Sequence, residues 1–241
     1  MFIIILGLGR TGNYLGQLLT QSGYQVAGTT RDENKAKEMS DLGIIPVRWD
    51  SKNGTANLPE ADVVVCAFPP NELYAVQMEA LKMRYPSSRI IQISSTSVFG
   101  KDQGEVSENI RPKPDSSHQD VLLQAEDAIL THPLGQVVRA GGLYDDHQHP
   151  VQFLSGRENI ADPQAPVNLI HRQDLAEILF DMIEQKINER IIHAVNPNHP
   201  LKQDYYTKKA QDLGLKPPLF SQIQETNKKI LSSLKRTWRK L

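Results

Sequence analysis

Gly7-Leu-Gly9-Arg-Thr-Gly12, a G-x-G-x-x-G turn, constrains the fold of this chain more than any other segment. It follows Phe2 to Leu6, an apolar run rich in β-branched residues that suits a strand buried on both faces. Beyond it Tyr14-Leu15 and Leu18-Leu19 recur at helical spacing and stop at Ser22-Gly23, and Gln25 to Thr30 reads as a second strand. Strand, glycine turn, helix and strand within about 30 residues form the first unit of a dinucleotide-binding fold. The first glycine permits the tight turn, the second lets backbone approach a pyrophosphate, and the third lets helix and strand pack closely. The helix N-terminus adds free N–H groups and the positive end of its dipole. Gly7, Gly9, Arg10, Thr11 and Gly12 are the expected phosphate-side contacts.

The alternation continues down the chain. Helical stretches are expected at 33–42, 72–84 and 121–130, and strands at 44–47, 61–68, 89–94 and 136–139. This rhythm predicts an α/β fold, a doubly wound and mostly parallel sheet covered by helices on both faces. Residues 1–142 form the expected dinucleotide-binding domain. Residues 143–241 form a smaller substrate-side region, of which about 166–195, with a helix at 174–184 and a strand at 190–195, return to the core. A further helix is expected at 203–213. The last stretch, 223–241, places Ile223, Ile230, Leu234, Trp238 and Leu241 on one face of an amphipathic helix ringed by lysines and arginines. A docking role on its own domain is expected for that helix, ahead of a role with a partner.

Composition excludes several classes. With 27 Lys plus Arg against 28 Asp plus Glu, the net charge of −1 gives no basic field for nucleic acid. Hydrophobic residues at 39% and charged residues at 23% describe a globular chain rather than a disordered one. A single cysteine, Cys66, excludes an internal disulfide framework and points to a reducing compartment. The opening apolar run is too short to span a bilayer, so no membrane partner and a cytoplasmic location are expected. Asp145-Asp-His147-Gln-His149 has metal-like residue types without a third ligand cluster, and reads as a polar substrate-side loop rather than a metal site.

Cofactor choice turns on the end of the second strand, Thr29-Thr30-Arg31. An NAD site usually carries an acidic residue there for the ribose 2′-OH, whereas Arg31 can grip a 2′-phosphate through its planar fork, with Arg10 on the same side. NADP is expected ahead of NAD, which Asp32 keeps open. Phe68-Pro69-Pro70 closes the fourth strand, where Phe68 and Pro69 would flank the adenosine or ribose.

Taken together these segments resemble the extended short-chain dehydrogenase/reductase superfamily, the group of nucleotide-sugar epimerases and dehydratases, and within it the atypical, short members. The resemblance covers nearly the whole chain. It rests on the glycine turn, Thr30-Arg31, Asp50 after the third strand, Ile93-Ser-Ser-Thr-Ser-Val-Phe-Gly100, Arg139 with Gly141-Gly-Leu-Tyr144, Asn168-Leu-Ile-His171 with Asp174-Leu-Ala176, and Asn196-Pro-Asn198. It implies that Asp50 lies near the adenine, that Ser95 hydrogen-bonds a substrate carbonyl, and that a homodimer forms through helices beside the Ser95 strand. It also implies a small-molecule substrate of the sugar-nucleotide type or a similar polar compound.

The departure from the family lies in the acid/base pair. Active members carry Tyr-x-x-x-Lys; aligned on Ala125-Glu126, this chain has His118 and Leu122 at those positions. Leucine neither binds a ribose hydroxyl nor perturbs a pKa, while His118 is the substitute acid/base candidate beside Ser95. Two readings follow. One is an NAD(P)-dependent oxidoreductase or epimerase using Ser95 and His118. The other is a catalytically inactive dinucleotide-binding module that acts through cofactor occupancy or a protein partner.

Overall fold

Short apolar runs become the strands of one sheet, and the segments between them become its covering helices. The computed structural model describes residues 1–101 and 103–241. In chain order the elements are β1 (Phe2–Leu6), α1 (Arg10–Gln21), β2 (Gln25–Thr30), α2 (Glu33–Asp41), β3 (Ile45–Arg48), β4 (Val63–Cys66), α3 (Tyr74–Arg84) and β5 (Arg89–Ser95). There follow β6 (Glu105–Val106), α4 (Ser117–Leu130), β7 (Gly135–Ala140), β8 (Gly142–Tyr144), α5 (Pro150–Leu154) and β9 (Leu169–His171). The chain closes with α6 (Arg172–Ile183), β10 (Ile191–Ala194), α7 (Lys202–Asp212) and β11 (Lys229–Ile230).

Seven strands form an all-parallel sheet in the order β10-β7-β5-β4-β1-β2-β3. Alternate residues of each strand serve opposite cores, as the pleat requires. Ile4, Leu6, Val64 and Ile90 pack with Tyr74 and Met78 of α3 and Leu122 and Ile129 of α4. Ile3, Ile5, Val65 and Ile91 pack with Leu15 and Leu19 of α1 and Leu175 and Leu179 of α6. Cys66 lies in the first of these cores, where burial pushes its thiol up to about 12, so it acts as packing. Two two-stranded pairs, β8 with β9 and β6 with β11, sit beyond the carboxyl edge of the sheet. No helix among the described residues is long and apolar enough to cross a membrane.

The expected helix over 223–241 does not form. This segment runs extended, contributing β11 and otherwise irregular chain to Leu241. Its apolar residues reach different cores: Ile230 enters the α3/α4 side, Leu234 and Trp238 pack on the α1/α6 side, and Leu241 joins a third cluster around Tyr144 and Tyr206. A helix rises 1.5 Å per residue and turns its apolar stripe to one side, whereas extended chain advances about 3.3 Å per residue and suits a segment that visits three cores. Upstream side chains and backbone replace the helical hydrogen bonds. Asn168 Nδ2 donates to Lys228 O (2.9 Å), Ile230 N to Asn168 Oδ1 (2.9 Å), Ser233 N to Glu108 Oε1 (2.9 Å) and Asn196 Nδ2 to Arg239 O (2.8 Å). Arg239 pairs with Asp174 and Glu177, and Arg236 with Glu177, so these basic residues of the strap are ion-paired to α6.

Candidate functional site

Strand order reverses where β1 lies between β4 and β2, and the crevice outside the carboxyl ends there is the usual ligand position of an open α/β sheet. A cavity of about 690 Å³ lies at that point. Gly7, Gly9, Thr30, Arg31, Asp50, Phe68 and Pro69 all line it, so seven of the ten expected cofactor residues meet there. Gly7 has φ +84°, and a Cβ on it would stand 2.7 Å from the Phe68 backbone. At Gly9 a Cβ would meet no atom within 4 Å. Gly7 is therefore glycine for the fold, whereas Gly9 is glycine beside open space. Gly12 packs against Ile5, where a Cβ would lie 3.3 Å from the side chain, in keeping with close helix–strand approach.

Helix α1 starts at Arg10 with no side-chain cap, so its first-turn N–H groups face the glycine turn unclaimed by any side chain. Thr29 steadies the turn by accepting from Gly7 N (2.7 Å). Trp49 forms part of the wall, donating from Nε1 to Gly54 O (2.7 Å) and meeting Phe68 edge to face. At the far end Arg31 pairs with Asp50 at 3.2 Å. The Lys52 N–H and Arg31 hold the Asp50 carboxyl below its usual range, against a smaller opposing effect of burial. Lys35 and Lys52 also line this end, so three cations face two carboxylates, Asp32 and Asp50. Asp32 is occupied as the N-cap of α2, its Oδ1 accepting from Asn34 N (2.8 Å) and Lys35 N (3.3 Å).

Arg10 does not join Arg31. Its guanidinium donates to Gln148 (2.7 Å) and lies 3.8 Å from Asp145, which Arg172 also contacts at 3.1 Å. Thr11 is buried, with Arg172 Nη1 3.4 Å from its hydroxyl. The 145–149 loop is thereby fastened to the glycine turn. Asp145 accepts from the N–H groups of His147 (3.0 Å) and Gln148 (2.8 Å), and His149 caps α5 and hydrogen-bonds Tyr205 (2.9 Å). Burial, with Lys209 nearby, pushes His149 down to about 4, so it is neutral at pH 7.

Ser95 ends β5 and its Oγ accepts from Ser97 N (3.1 Å). It lines a second cavity, about 360 Å³, at the same edge of the sheet. His118 is exposed in the first turn of α4 and is not among the residues lining that cavity. Leu122, one turn on, is 1% exposed and packs in the α3/α4 core. Beneath Ser95 lies a buried network: Ser94 donates to Glu126 (2.6 Å), Arg139 holds Glu126 in a fork (2.8–3.2 Å), and His193 bridges Arg139 to Leu231 O. Lys202, Thr226 and Lys228 of the second cavity, and Trp49, Lys35 and Lys52 of the first, escape sequence reasoning. Only Trp49, adjacent to Asp50, carried a local signal.

Residues 3–101 match the family model described as the TrkA-N domain. Protein YeeZ of Escherichia coli (strain K12) is 31% identical over 246 residues, covering 94% of this chain and 89% of its own length. Among solved structures, a functionally unknown conserved protein from Silicibacter pomeroyi superposes with a TM-score of 0.78 at 20% identity, covering 96% of this chain and 89% of that one. UDP-glucuronic acid 4-epimerase from Bacillus cereus, in complex with NAD, superposes with a TM-score of 0.76 at 20% identity, covering 97% and 90%. At such identities the likeness to solved structures is one of fold. The chain belongs to the family of Protein YeeZ, and it shares its fold with these solved structures, the B. cereus epimerase among them.

Proposed function

We propose that the chain binds a nicotinamide dinucleotide along the glycine turn, with NADPH preferred to NADH. The observation that carries this reading is the open space in front of Gly9, at the uncapped start of α1 and inside a cavity at the strand-order reversal. A pyrophosphate fits that combination of missing Cβ, free N–H groups and positive dipole end. Phe68 and Pro69 would wall the adenosine side, with Trp49 behind Phe68. The 2′-phosphate preference rests on Arg31, exposed and flanked by Lys35 and Lys52, together with the use of Asp32 as a helix cap.

A bound cofactor would supply or accept a hydride. What this chain adds is the Ser95 hydroxyl, held at the end of β5 by Ser97 N and free to donate. Exposure of His118 and burial of Leu122 favour, for the acid/base pair itself, the reading in which the usual proton-transfer machinery has been lost. Sugar nucleotides, named for the B. cereus epimerase, enter as one arm of any substrate screen.

Equilibrium titration with NADPH and NADH tests the cofactor assignment. NADPH should bind more tightly, and Arg31→Ala should cost NADPH about tenfold to a hundredfold while leaving NADH nearly unchanged. Equal losses for both nucleotides would remove Arg31 from 2′-phosphate recognition; no binding of either would end the dinucleotide reading.

A further inference from the structure

The Ser95 cavity carries chemistry that the dinucleotide does not use, and it shares no lining residue with the glycine-turn cavity. Two lysines line it: Lys202, at the start of α7, and Lys228, on the extended C-terminal strap. No Asp or Glu is among its lining residues. Backbone carbonyls, not carboxylates, hold both ammonium groups: Lys202 Nζ donates to Ala161 O (2.8 Å), and Lys228 Nζ to Phe99 O (2.8 Å) and Thr96 O (3.4 Å). Among the described residues neither lysine forms an ion pair. Asp162 and Asp115, the carboxylates whose charge they feel, are engaged elsewhere. Asp162 accepts from the N–H groups of Glu225 and Thr226, and Asp115 from Lys101 N.

Two hydroxyl groups of the lining also keep a proton to donate. Ser95 accepts its one intramolecular bond from Ser97 N and keeps its own proton free. Tyr206 is 7% exposed, and its hydroxyl has no partner among the described residues; burial pushes it up to about 12, so it stays protonated. A cavity lined by two lysines outside any ion pair, two hydroxyl donors and no carboxylate is complementary to negative charge. At about 360 Å³ it is near the lower end of the ~300–1,000 Å³ range of small-molecule sites. Val167, Leu169 and Pro166 give it an apolar side.

We infer that this cavity binds a small organic anion, a carboxylate or phosphate ester smaller than a sugar nucleotide, with its acid group on Lys202 and Lys228 and a second oxygen within reach of Ser95. The C-terminal strap is then part of the binding site, because it supplies Lys228 and Thr226. Residues two apart share a side in extended chain and not in a helix, so the extended strap is what lets both line the cavity. Burial lowers the pKa of both lysines from the usual value, yet carbonyl partners and an incoming anion each favour the charged form.

The test is calorimetric titration of the full-length protein, without nucleotide, using inorganic phosphate, glycerol 3-phosphate, pyruvate, malonate, citrate and UDP-glucose. At least one of the small anions should saturate. Its affinity should fall about tenfold or more in Lys202→Gln and in Lys228→Gln, and Lys202→Arg should restore most of it. A carboxylate that saturates where phosphates do not, or the reverse, fixes the source of the charge. If Lys228→Gln fails to fold for want of its bond to Phe99 O, Lys202→Gln alone decides. Saturation by UDP-glucose alone, unchanged affinity in Lys202→Gln, or no saturation by any small anion overturns the inference. Because no nucleotide is present, failure here leaves the NADPH titration standing, and failure of that titration leaves this one standing.

Discussion

Two cavities lie at the carboxyl edge of one sheet, and they are encoded in opposite ways. The first is lined by residues between Gly7 and Asn71, one continuous stretch of β-α-β chain. The second draws on Ser95 at the end of β5, Gly142 after β7, the 165–169 segment, α7 and the C-terminal strap. A site built from one supersecondary unit follows from local spacing, since the turn, the helix start and the strand end have fixed offsets. A site assembled from five segments depends on how the chain returns. The lysines of the second site carry no sequence signal that separates them from the other lysines of the chain.

The two regions should also fail differently, and the largest expected difference concerns Glu126. It is fully buried against Arg139 and Ser94, beneath Ser95 and linked through His193 to the strap. Removing one partner leaves an uncompensated buried charge, so Glu126→Ala should lose about 3–5 kcal/mol in urea unfolding. An exposed pair such as Arg31–Asp50, screened by solvent, should contribute far less. A Glu126→Ala protein as stable as the parent would show that this network does not support the second region.

Acid should weaken the packing around the 145–149 loop. His149 packs among Tyr144, Tyr205 and Tyr206 and titrates near 4, against 6.5 for an unperturbed histidine. Between those values the unfolded chain binds a proton that the folded one refuses, so stability is complete above about pH 6.5 and is lost as the pH falls towards 4. The expected loss is about 2 kcal/mol once solvent screening is allowed for. Chemical denaturation at about pH 7 and about pH 4.5 measures it. His149→Gln should flatten that dependence, and an unchanged slope would remove His149 from it.

Most of the fold was legible because apolar runs and glycines act locally. The expected bounds of β1 and β2 coincide with the observed ones, and the all-parallel doubly wound sheet follows from the strand–helix alternation. Position 10 was less legible: a residue in the glycine turn has no fixed direction, and Arg10 went to Asp145 and Gln148 instead of joining Arg31. The C-terminal segment misled for a physical reason. Ile223, Ile230, Leu234, Trp238 and Leu241 satisfy a 3.6-residue period, but Ile223 is exposed and the other four belong to an extended strap that docks on three clusters. Its hydrogen-bond partners, Asn168, Asn196, Glu108 and Asp174, lie far upstream, beyond the reach of any window reading.

Gly9 gives the most direct test of the central claim, that the glycine-turn cavity is a dinucleotide site. Gly9 has φ −91° and ψ −160°, backbone that any residue adopts, and a Cβ there meets nothing within 4 Å. Gly9→Val should therefore fold with nearly the parent stability while filling the space a pyrophosphate needs. NADPH titration followed by quenching of Trp49, in the cavity wall, should saturate in the parent and weaken about a hundredfold or more in Gly9→Val. Equal NADPH affinity in the two proteins, with both folded, would contradict the account.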